Sequence, residues 1–452
     1  MSMYVYTIPI QDQYLIYRPL RKLAFVGNRA LGMRCENIAA GTLTREQVPD
    51  SVRGFLDDID FFTDDPPPPA LPDHAFQPTS AVLLMTNRCN LRCTYCYANA
   101  GVLAPVDLSL ELAQTVIDQV AASAQAQGGS YFELCFHGGG EPTQNWQVMQ
   151  QATAYARTKL IPAKVVMVSN GIWSPAQREW VLTHMDGVTI SFDGRPSTQD
   201  AQRILPNGAG SSALVLETIH ALDEAHFDYG IRMTATAPWR ETLPADVRFI
   251  CENTGCKSLQ VEPAFNTVRG THRESSEEQS QAFVDAFMEA FEIAARAGRQ
   301  LTYSGARPWL LTMSFCTAPY NALIVNANRE LVTCYEIASD AHALANISTI
   351  GAIDAAGELT LDSTRRESLL NRLETKQTDH CADCFARYHC AGDCYTRSTS
   401  VIDGELQVTS ARCQINRALT AQLLLWYVMA GDGVWNGQTI LTMPTSQLSA
   451  MY

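Results

Sequence analysis

The chain has 452 residues, enough for two or three domains, and with 46% hydrophobic and 18% charged residues its composition is that of a folded protein. Its net charge of −14 argues against nonspecific binding to nucleic acid, which requires a surplus of Lys and Arg. The longest strongly apolar run, Leu423 to Ala430, is too short to span a bilayer, and the N-terminus lacks a signal-peptide pattern. We therefore expect a cytoplasmic protein that binds neither nucleic acid nor a membrane.

The first predicted unit covers residues 1–63 and is followed by a proline-rich linker at 64–78. The run "QYLIYRPLRKLAFVGN" alternates apolar and polar residues like the two strands of a hairpin. A helical segment is predicted within residues 44–62, where Thr44 is a candidate N-cap and Pro49 limits where the helix starts. The sequence "DDPPPPALPD" predicts a stiff connection to the rest of the chain.

Strand-like and helical patterns alternate from residue 79 to residue 300. The predicted strands are 81–86, 131–136, 164–169, 187–192, 230–236 and 257–262, and the predicted helices are 109–126, 146–158, 175–185, 211–226, 242–254 and 277–298. This series predicts an α/β fold with a parallel sheet and outer helices, either an open sheet or a partial barrel.

Four polar motifs follow four of these strands. "TNRCNLRC" follows the first strand, "HGGGEP" the second, "SNG" the third and "SFDG" the fourth. In parallel α/β folds chemistry gathers at the carboxyl ends of the strands. We therefore expect the four motifs to converge on one site.

Fourteen cysteines need an explanation, because disulfides are rare in a reducing compartment and spaced cysteine clusters there indicate metal. Ten of them form patterns: Cys89, Cys93, Cys96, Cys316, Cys334, Cys381, Cys384, Cys390, Cys394 and Cys413. Four others are scattered and are assigned to packing: Cys35, Cys135, Cys251 and Cys256. Because helical periodicity fades where cysteines concentrate, residues 301–452 are predicted to be a separate, metal-organised region.

Three of the patterned cysteines, Cys89, Cys93 and Cys96, lie within one short loop. Three thiolates neither saturate a tetrahedral zinc ion nor complete an iron–sulfur cluster, which usually takes four protein ligands. Three possibilities remain: the fourth ligand of the metal site is distant in sequence, the three cysteines bind no metal, or the fourth position of the site is left open. An open metal position is typical of a catalytic site rather than a structural one.

The spacing C-x3-C-x2-C, with Tyr95 before the last cysteine, resembles the signature of radical SAM enzymes. The resemblance implies a partial (β/α)6 barrel in which the three cysteines hold three irons of a [4Fe-4S] cluster. S-adenosyl-L-methionine (SAM) would chelate the fourth iron. Reductive cleavage of SAM would then give a 5′-deoxyadenosyl radical that removes a hydrogen atom from the substrate, with a reductant such as flavodoxin or ferredoxin supplying the electron.

The motifs at the other strand ends also resemble those of this family. "HGGGEPT" resembles its GGE motif, whose glycines allow the backbone to approach the SAM amino group, and "SNG" and "SFDG" resemble motifs that hold the ribose and the methionyl carboxylate. Arg203 follows at a spacing where related enzymes place an arginine on that carboxylate. The implied SAM-binding residues are Tyr95, Gly139, Gly140, Glu141, Ser169, Asn170, Ser191, Asp193 and Arg203.

The C-terminal cysteines resemble the SPASM extension, which carries two auxiliary [4Fe-4S] clusters. The resemblance implies one complete ligand set, Cys381, Cys384, Cys390 and Cys413, and a second set of three, Cys316, Cys334 and Cys394. The set of three leaves an open or non-cysteine position, and Asp383, Asp393 and His389 are nearby in sequence. Arg329 stands where the family usually has a glycine, so the turn there must be built differently. A zinc module is the alternative for this region.

Enzymes with this arrangement mostly modify peptides, and the N-terminal unit loosely resembles elements that bind precursor leader peptides. We therefore expect a peptide maturase acting on a ribosomally made precursor, installing a C–C, ether or thioether cross-link. Candidate bases are Glu262, at the sixth strand's end, and Glu336, after Cys334. The alternatives are formylglycine formation of the anaerobic sulfatase-maturing type, peptide epimerisation and a non-catalytic electron carrier. "ARPWLLTMSFC" replaces the acidic pattern of the sulfatase-maturing enzymes.

Overall fold

The computed structural model describes residues 3–10, 12–264, 276–402, 405–408 and 411–438. Its N-terminal unit contains three antiparallel strands and two helices: β1 (Tyr6–Ile10), β2 (Gln13–Arg18), β3 (Leu23–Gly27), α1 (Arg29–Ala39) and α2 (Asp50–Asp58). The predicted hairpin corresponds to β2 and β3, and the predicted helical segment contains α2, which begins directly after Pro49. Thr44 instead caps a short 3₁₀ turn before α2.

A buried ion pair ties the linker to this unit. Arg18, at the end of β2, contacts Asp65 at 2.6 Å, and both side chains are almost completely buried. The second carboxylate oxygen of Asp65 accepts the backbone N–H of Tyr4 at 2.6 Å. The start of the linker is therefore held against the N-terminal sheet by a paired charge.

The central part of the chain forms parallel strands in sequence order, each connected to the next by helices. The strands are β4 (Ser80–Leu84), β5 (Phe132–His137), β6 (Ala163–Ser169), β7 (Gly187–Ser191), β8 (Tyr229–Ala235), β9 (Ser258–Pro263) and β10 (Gln300–Thr302). The helices are α3 (Leu110–Ala126), α4 (Trp146–Ala156), α5 (Pro175–His184), α6 (Pro196–Gln202), α7 (Ser212–Glu224), α8 (Trp239–Asn253) and α9 (Glu277–Arg296). The six predicted strands correspond to β4–β9, and β10 adds a short strand that was not predicted.

Alternating side chains of these strands face the helices and form one large apolar core. In β8, for example, Ile231 and Met233 belong to this core, whereas Arg232 between them does not. We call the face opposite the helices the inner face of the sheet. A parallel sheet with helices along one face fits the expected α/β fold, and closure into a partial barrel stays a prediction.

Four strands of the C-terminal part continue the same sheet. After α10 (Ala318–Asn321), strand β11 (Ala322–Val325) pairs in parallel with β4, and β12 (Glu330–Val332), β13 (Thr349–Ile353) and β14 (Leu359–Leu361) extend the sheet antiparallel. The remaining elements are α11 (Ala345–Ser348), α12 (Ser363–Thr375), α13 (Arg387–Cys390), β15 (Thr399–Ile402), β16 (Glu405–Val408), α14 (Ala411–Ala430) and β17 (Val434–Trp435). The boundary expected near residue 301 therefore falls within β10, β15 and β16 form a separate antiparallel pair, and β17 returns to pair with β3.

The turn between β11 and β12 is built without the glycine that the family resemblance led us to look for. Arg329 adopts a left-handed conformation with φ of 69°, and its Nε donates to the carbonyl of Ile353 at 2.8 Å. Asn326 braces the turn, because its Oδ1 accepts the backbone N–H groups of Asn328 and Glu330. These bonds offset the cost of a non-glycine residue in this conformation.

The apolar run Leu423 to Ala430 forms the second half of α14, as expected for a packed helix. Leu423, Leu424 and Val428 are buried in the large core, whereas Met429 is exposed. Across the described residues, no helix combines the length and apolar character needed to cross a membrane.

Candidate cluster and cofactor site

The loop that carries Cys89, Cys93 and Cys96 follows β4 and is held by two arginines within it. We call residues 86–101 the cysteine loop. Arg88 binds both carboxylate oxygens of Asp107, at 2.9 and 2.7 Å, and Arg92 donates to the carbonyls of Cys89 and Gly101, both at 2.8 Å. These bonds fix the loop before any ligand binds.

The glycine-rich motif after β5 packs directly against the cysteine loop. We call residues 138–142 the GGGEP loop. The backbone N–H of Gly140 donates to the carbonyl of Thr86, and that of Glu141 to the carbonyl of Arg88, both at 2.8 Å. A side chain on Gly140 would overlap the Arg88 carbonyl. Gly140 is therefore required for the contact between the two loops, and its expected proximity to the SAM amino group stays a prediction.

Glu141 joins the ends of two neighbouring strands. Its buried carboxylate accepts four hydrogen bonds: from the N–H and Oγ1 of Thr143 at 3.2 and 2.8 Å, from Ser169 Oγ at 2.7 Å and from the Asn170 N–H at 2.8 Å. Burial raises the pKa of this carboxyl, although the four bonds oppose the rise. Asn170 in turn donates to Asn90 Oδ1 at 2.7 Å. Three of the predicted cofactor-binding residues are thus in contact with one another and, through Asn90, with the cysteine loop.

A second group of predicted residues meets at Asp193, which follows β7. Arg203 binds both carboxylate oxygens of Asp193 at 3.0 Å, the Tyr95 hydroxyl donates to one of them, and the Thr234 N–H donates to the other at 2.9 Å. The guanidinium of Arg203 also lies over the Tyr95 ring, 5.3 Å from its centre. Arg203 therefore directs its fork at Asp193, where the family resemblance implied a SAM carboxylate. Ser191 lies at the end of β7, half-buried.

All fourteen cysteines lie among the described residues, and all are free. The three thiols of the cysteine loop form one group: burial, together with the charges of Glu141, Cys93 and Cys96, raises the pKa of Cys89 to about 12. Of the four cysteines assigned to packing, Cys35, Cys135 and Cys256 are buried and Cys251 is half-buried.

The patterned C-terminal thiols are brought together in two further groups. The first C-terminal set is Cys316, Cys334 and Cys394: burial raises the pKa of Cys334 well above its usual value, and Glu336, Cys394 and Cys316 add to the rise. The second C-terminal set is Cys381, Cys384, Cys390 and Cys413: burial, together with Cys384 and Cys413, raises the pKa of Cys381 to about 11. Burial together with Asp393 and Cys381 raises the pKa of Cys390.

The thiol donors of these groups fit iron–sulfur clusters. Within the described ranges no three Cys, His, Asp or Glu side chains converge tightly enough to hold one metal ion. In an iron–sulfur cluster each thiolate binds its own iron, so the ligands are spread more widely, and soft thiolates are the donors that such clusters take. Backbone amides already point at the sulfurs: Leu91 donates to Cys89, Ala318 to Cys316 and Glu336 to Cys334, all at 3.4 Å.

The residues considered for the open position of the first C-terminal set differ in their surroundings. His389 is buried with both ring nitrogens engaged, by the Leu310 carbonyl at 2.8 Å and by the Tyr17 hydroxyl. Asp383 is exposed. Asp393 is buried and binds Arg412 through one oxygen at 2.9 Å. His389 is therefore committed to structural hydrogen bonds.

Both candidate bases form ion pairs with arginines from the C-terminal part. Glu262 contacts Arg412 at 3.2 Å and accepts the Ser304 N–H at 3.1 Å, and Glu336 accepts from Arg397 Nε at 2.8 Å. Although burial raises the pKa of Glu262, the positive charges of Arg412, Arg397 and Arg232 outweigh it and lower the pKa below its usual value. A carboxylate with a low pKa is a weak base, so this geometry favours a structural role for Glu262.

Sequence reasoning did not identify the three arginines of this region. Arg232 lies on β8, Arg397 follows the cysteine motif and Arg412 lies in the first turn of α14, so nothing in the local sequence links them. Only folding brings Arg412 to Glu262, 150 residues away along the chain.

Comparisons with known proteins agree with the motifs at this site. Residues 83–236 match the family model described as the Radical SAM superfamily. The chain is 27% identical over 272 residues to the sporulation killing factor maturation protein SkfB of Bacillus subtilis (strain 168), covering 58% of this chain and 61% of SkfB. It is 31% identical over 183 residues to the Fe-coproporphyrin III synthase of Methanosarcina barkeri (strain Fusaro / DSM 804), covering 39% and 43%. The chain thus matches less than two thirds of the length of either relative.

Solved structures show a similar fold at low sequence identity. The structure of anSMEcpe with bound AdoMet matches 78% of this chain and 99% of its own, with a TM-score of 0.59 and 15% identity. Streptococcus suis SuiB bound to its precursor peptide SuiA matches 87% of this chain and 95% of its own, with a TM-score of 0.51 and 12% identity. The chain therefore contains a radical SAM domain at residues 83–236.

Proposed function

We propose that the chain is a peptide maturase that installs an oxidative cross-link in a ribosomally made precursor peptide. The observation that carries the proposal is the contact between the residues that follow Cys334 and the residues at the end of β5 and in the GGGEP loop. Tyr335, next to Cys334, stacks on His137 with ring centres 5.3 Å apart, and Ala338 packs on Gly139. A second group of thiols is thereby placed beside the site where the cysteine loop and the strand ends meet.

The thiol groups fit three [4Fe-4S] clusters. We assign Cys89, Cys93 and Cys96 to the cluster that binds SAM, and the two C-terminal sets to two auxiliary clusters of a SPASM domain. Radical SAM proteins use a [4Fe-4S] cluster and SAM, which together supply a radical that removes a hydrogen atom from the substrate. The raised pKa values of the metal-free thiols reflect burial and mutual repulsion, which coordination by iron would reverse.

The side chains around Asp193 and Glu141 would shape the SAM pocket. Asp193 holds Tyr95 and Arg203 in fixed positions, so both are preorganised beside the cysteine loop. Glu141 holds Ser169 and Asn170 at the end of β6. Burial of both carboxylates excludes water from this edge of the sheet, which favours a radical reaction that must avoid quenching.

The auxiliary clusters have a chemical rationale in this proposal. Forming a cross-link removes two hydrogen atoms from the peptide, so after one hydrogen atom has been abstracted, one proton and one electron must still leave. The auxiliary clusters that the two C-terminal sets would hold would accept that electron. Glu336 is placed beside Cys334 and Cys394, and it remains the better of the two candidate bases by position.

The relatives support a peptide substrate. SkfB is a maturation protein for the sporulation killing factor, SuiB has been solved with the precursor peptide SuiA, and anSMEcpe has been solved with a Cp18Cys peptide. The N-terminal unit, with three antiparallel strands and two helices, would recognise the peptide by strand addition. Because β17 pairs with β3, the edge strands of this sheet among the described residues are β1 and the two-residue β17, of which β1 is long enough to pair with a peptide.

The test is anaerobic co-expression with short reading frames encoded beside this one, followed by mass spectrometry of the peptides. Loss of two hydrogens with a new fragment linking two residues supports cross-linking. A product that reacts with a hydrazine would indicate formylglycine instead, and an unchanged mass with deuterium taken up from solvent would indicate epimerisation. A colourless protein that contains zinc and yields no 5′-deoxyadenosine with dithionite would contradict the radical mechanism itself.

A further inference from the structure

Arg232 projects from the middle of β8 towards the inner face of the sheet. Its neighbours along the strand, Ile231 and Met233, are buried in the core against the helices, and side chains alternate along a strand. The guanidinium therefore lies on the face away from the helices. The residue is half-buried, so part of it is accessible to solvent.

The sheet register places Arg232 next to the cofactor-site residues. It is paired with Ser191 at the end of β7 on one side and with Gln260 of β9 on the other. Two residues further along β8, the N–H of Thr234 donates to Asp193 at 2.9 Å. Arg232 thus lies two residues further from the carboxyl end of β8 than Thr234, which binds the group formed by Asp193 and Arg203.

The charges facing Arg232 come from several elements. Its positive charge acts on His137 at the end of β5, on Tyr97 of the cysteine loop and on Glu262 of β9. These three lie on separate parts of the fold, and all are close enough to the guanidinium to interact with its charge. Of these only Glu262 carries a negative charge at neutral pH, and its ion pair is with Arg412.

The other arginines of this region have carboxylate partners. Arg203 binds Asp193, Arg412 binds Glu262 and Asp393, and Arg397 binds Glu336. In the part of the chain that the structure describes, the Arg232 side chain forms no ion pair or hydrogen bond. Among the described residues no carboxylate therefore contacts Arg232 directly, and a guanidinium fork is suited to binding a carboxylate through two parallel bonds.

We propose that Arg232 is the carboxylate-binding residue of the inner face and that it positions the substrate peptide through an Asp or Glu side chain or through its terminal carboxylate. This inference rests on the proposed function for the identity of the ligand. The methionyl carboxylate of SAM offers the same chemistry, because Ser191 is adjacent, and the experiment below separates the two sources.

The first measurement does not depend on any peptide. The full, cluster-loaded chain is treated anaerobically with 4-hydroxyphenylglyoxal, which modifies accessible guanidinium groups, and the labelled arginines are mapped by mass spectrometry. Arg232 should react faster than Arg412 and Arg397, whose guanidinium groups are paired. If Arg232 is as unreactive as Arg412, it already has a partner within the chain and the inference is wrong.

The second measurement uses Arg232→Gln, Arg232→Lys and the control Arg240→Gln, which removes an exposed arginine of α8. Affinities are measured for SAM by equilibrium dialysis and for a precursor peptide that the wild type modifies. We expect Arg232→Gln to weaken peptide binding by at least about tenfold, with Arg232→Lys intermediate and SAM affinity unchanged. Neutralising one carboxylate of the peptide should weaken its binding to the wild type by the same factor. The same change should cause no further loss of affinity for Arg232→Gln.

Each other outcome has a defined meaning. A tenfold loss of SAM affinity in Arg232→Gln, with peptide binding unchanged at saturating SAM, would assign the carboxylate to SAM. Unchanged affinity for both ligands would overturn the inference. If the wild type modifies no peptide, the proposed function fails, and the Arg232 site is then decided by labelling and by SAM affinity alone.

Discussion

Ala338 fills the space in which Gly139 would carry a side chain. Ala338 lies in the loop after Cys334, and a Cβ built on Gly139 would overlap its side chain. Tyr335 of the same loop stacks on His137, which immediately precedes the GGGEP loop. This glycine is needed for packing within the chain, because its lack of a side chain allows the C-terminal part to lie directly against the strand ends of the central sheet.

Replacing Gly139 by valine should disturb this contact. The added methyl groups have no space, so we expect a loss of about 1–3 kcal/mol in the free energy of unfolding, measured with denaturant under anaerobic conditions. Gly139→Ala should also lower the free energy of unfolding. Ala338→Gly removes the opposing methyl group, so combining it with Gly139→Ala should recover part of that loss. Strictly additive effects of the two substitutions would show that the side chains do not meet.

The grouping of the thiols predicts how iron is lost from cysteine variants. A wild type with three clusters contains about twelve irons, and removing one cluster should leave about eight. Cys89→Ala should abolish SAM cleavage to 5′-deoxyadenosine while the other two clusters stay. Cys394→Ala and Cys334→Ala should remove the same cluster, which is identified by its electron paramagnetic resonance signal.

Cys251 provides a matched control for the cysteine variants, since it is half-buried and outside the three groups. Cys251→Ser should keep the full iron content. A Cys394→Ala variant that instead loses the signal shared by Cys381→Ala and Cys384→Ala would mean that the partition into two C-terminal sets is incorrect.

Asp193 is predicted to stabilise the fold as well as the SAM pocket. Its side chain is the counter-charge of the buried Arg203, so Asp193→Ala leaves an uncompensated cation and should cost about 3–5 kcal/mol of stability. Asp193→Ala with Arg203→Met should be more stable than Asp193→Ala alone, because no buried charge remains. Equal stability of the single and the double variant in denaturant titrations would argue against the ion pair as the cause.

The sequence predicted the strands and the four strand-end motifs because both are local signals. An apolar run indicates a buried strand, and Gly139, Glu141 and Asn170 directly follow such runs. The ion pairs Arg412–Glu262 and Arg397–Glu336 were not predictable, since their partners are 150 and 61 residues apart. Strands of two or three residues, such as β17 and β10, are too short to give a periodic pattern.

The contact between α12 and the linker that precedes β4 should depend on pH. His74 contacts Glu367 at 2.8 Å through Nδ1 and Glu374 at 2.5 Å through Nε2, both on α12. With a carboxylate at each nitrogen, both nitrogens must donate, which requires the protonated ring. Burial alone lowers the pKa of His74, but the hydrogen bonds to Glu367 and Glu374 outweigh it and the pKa is raised overall.

A raised pKa in the folded state means that the clamp contributes its full stability below the pKa of an unfolded histidine, about 6.5, and loses it as the pH rises through the folded value. His74→Gln should therefore destabilise the chain at pH 6 by up to about 1 kcal/mol, the range for partly exposed pairs, and have little effect at pH 9. His220→Gln, on the exposed side of α7, serves as the control and should show no such difference. Because the contribution depends on a protonated ring between two carboxylates, a His74→Gln effect that grows with pH would have the wrong sign for this clamp, and the attachment of the linker to α12 would then have to come from its other contacts, such as Arg366 with the His74 carbonyl at 2.6 Å.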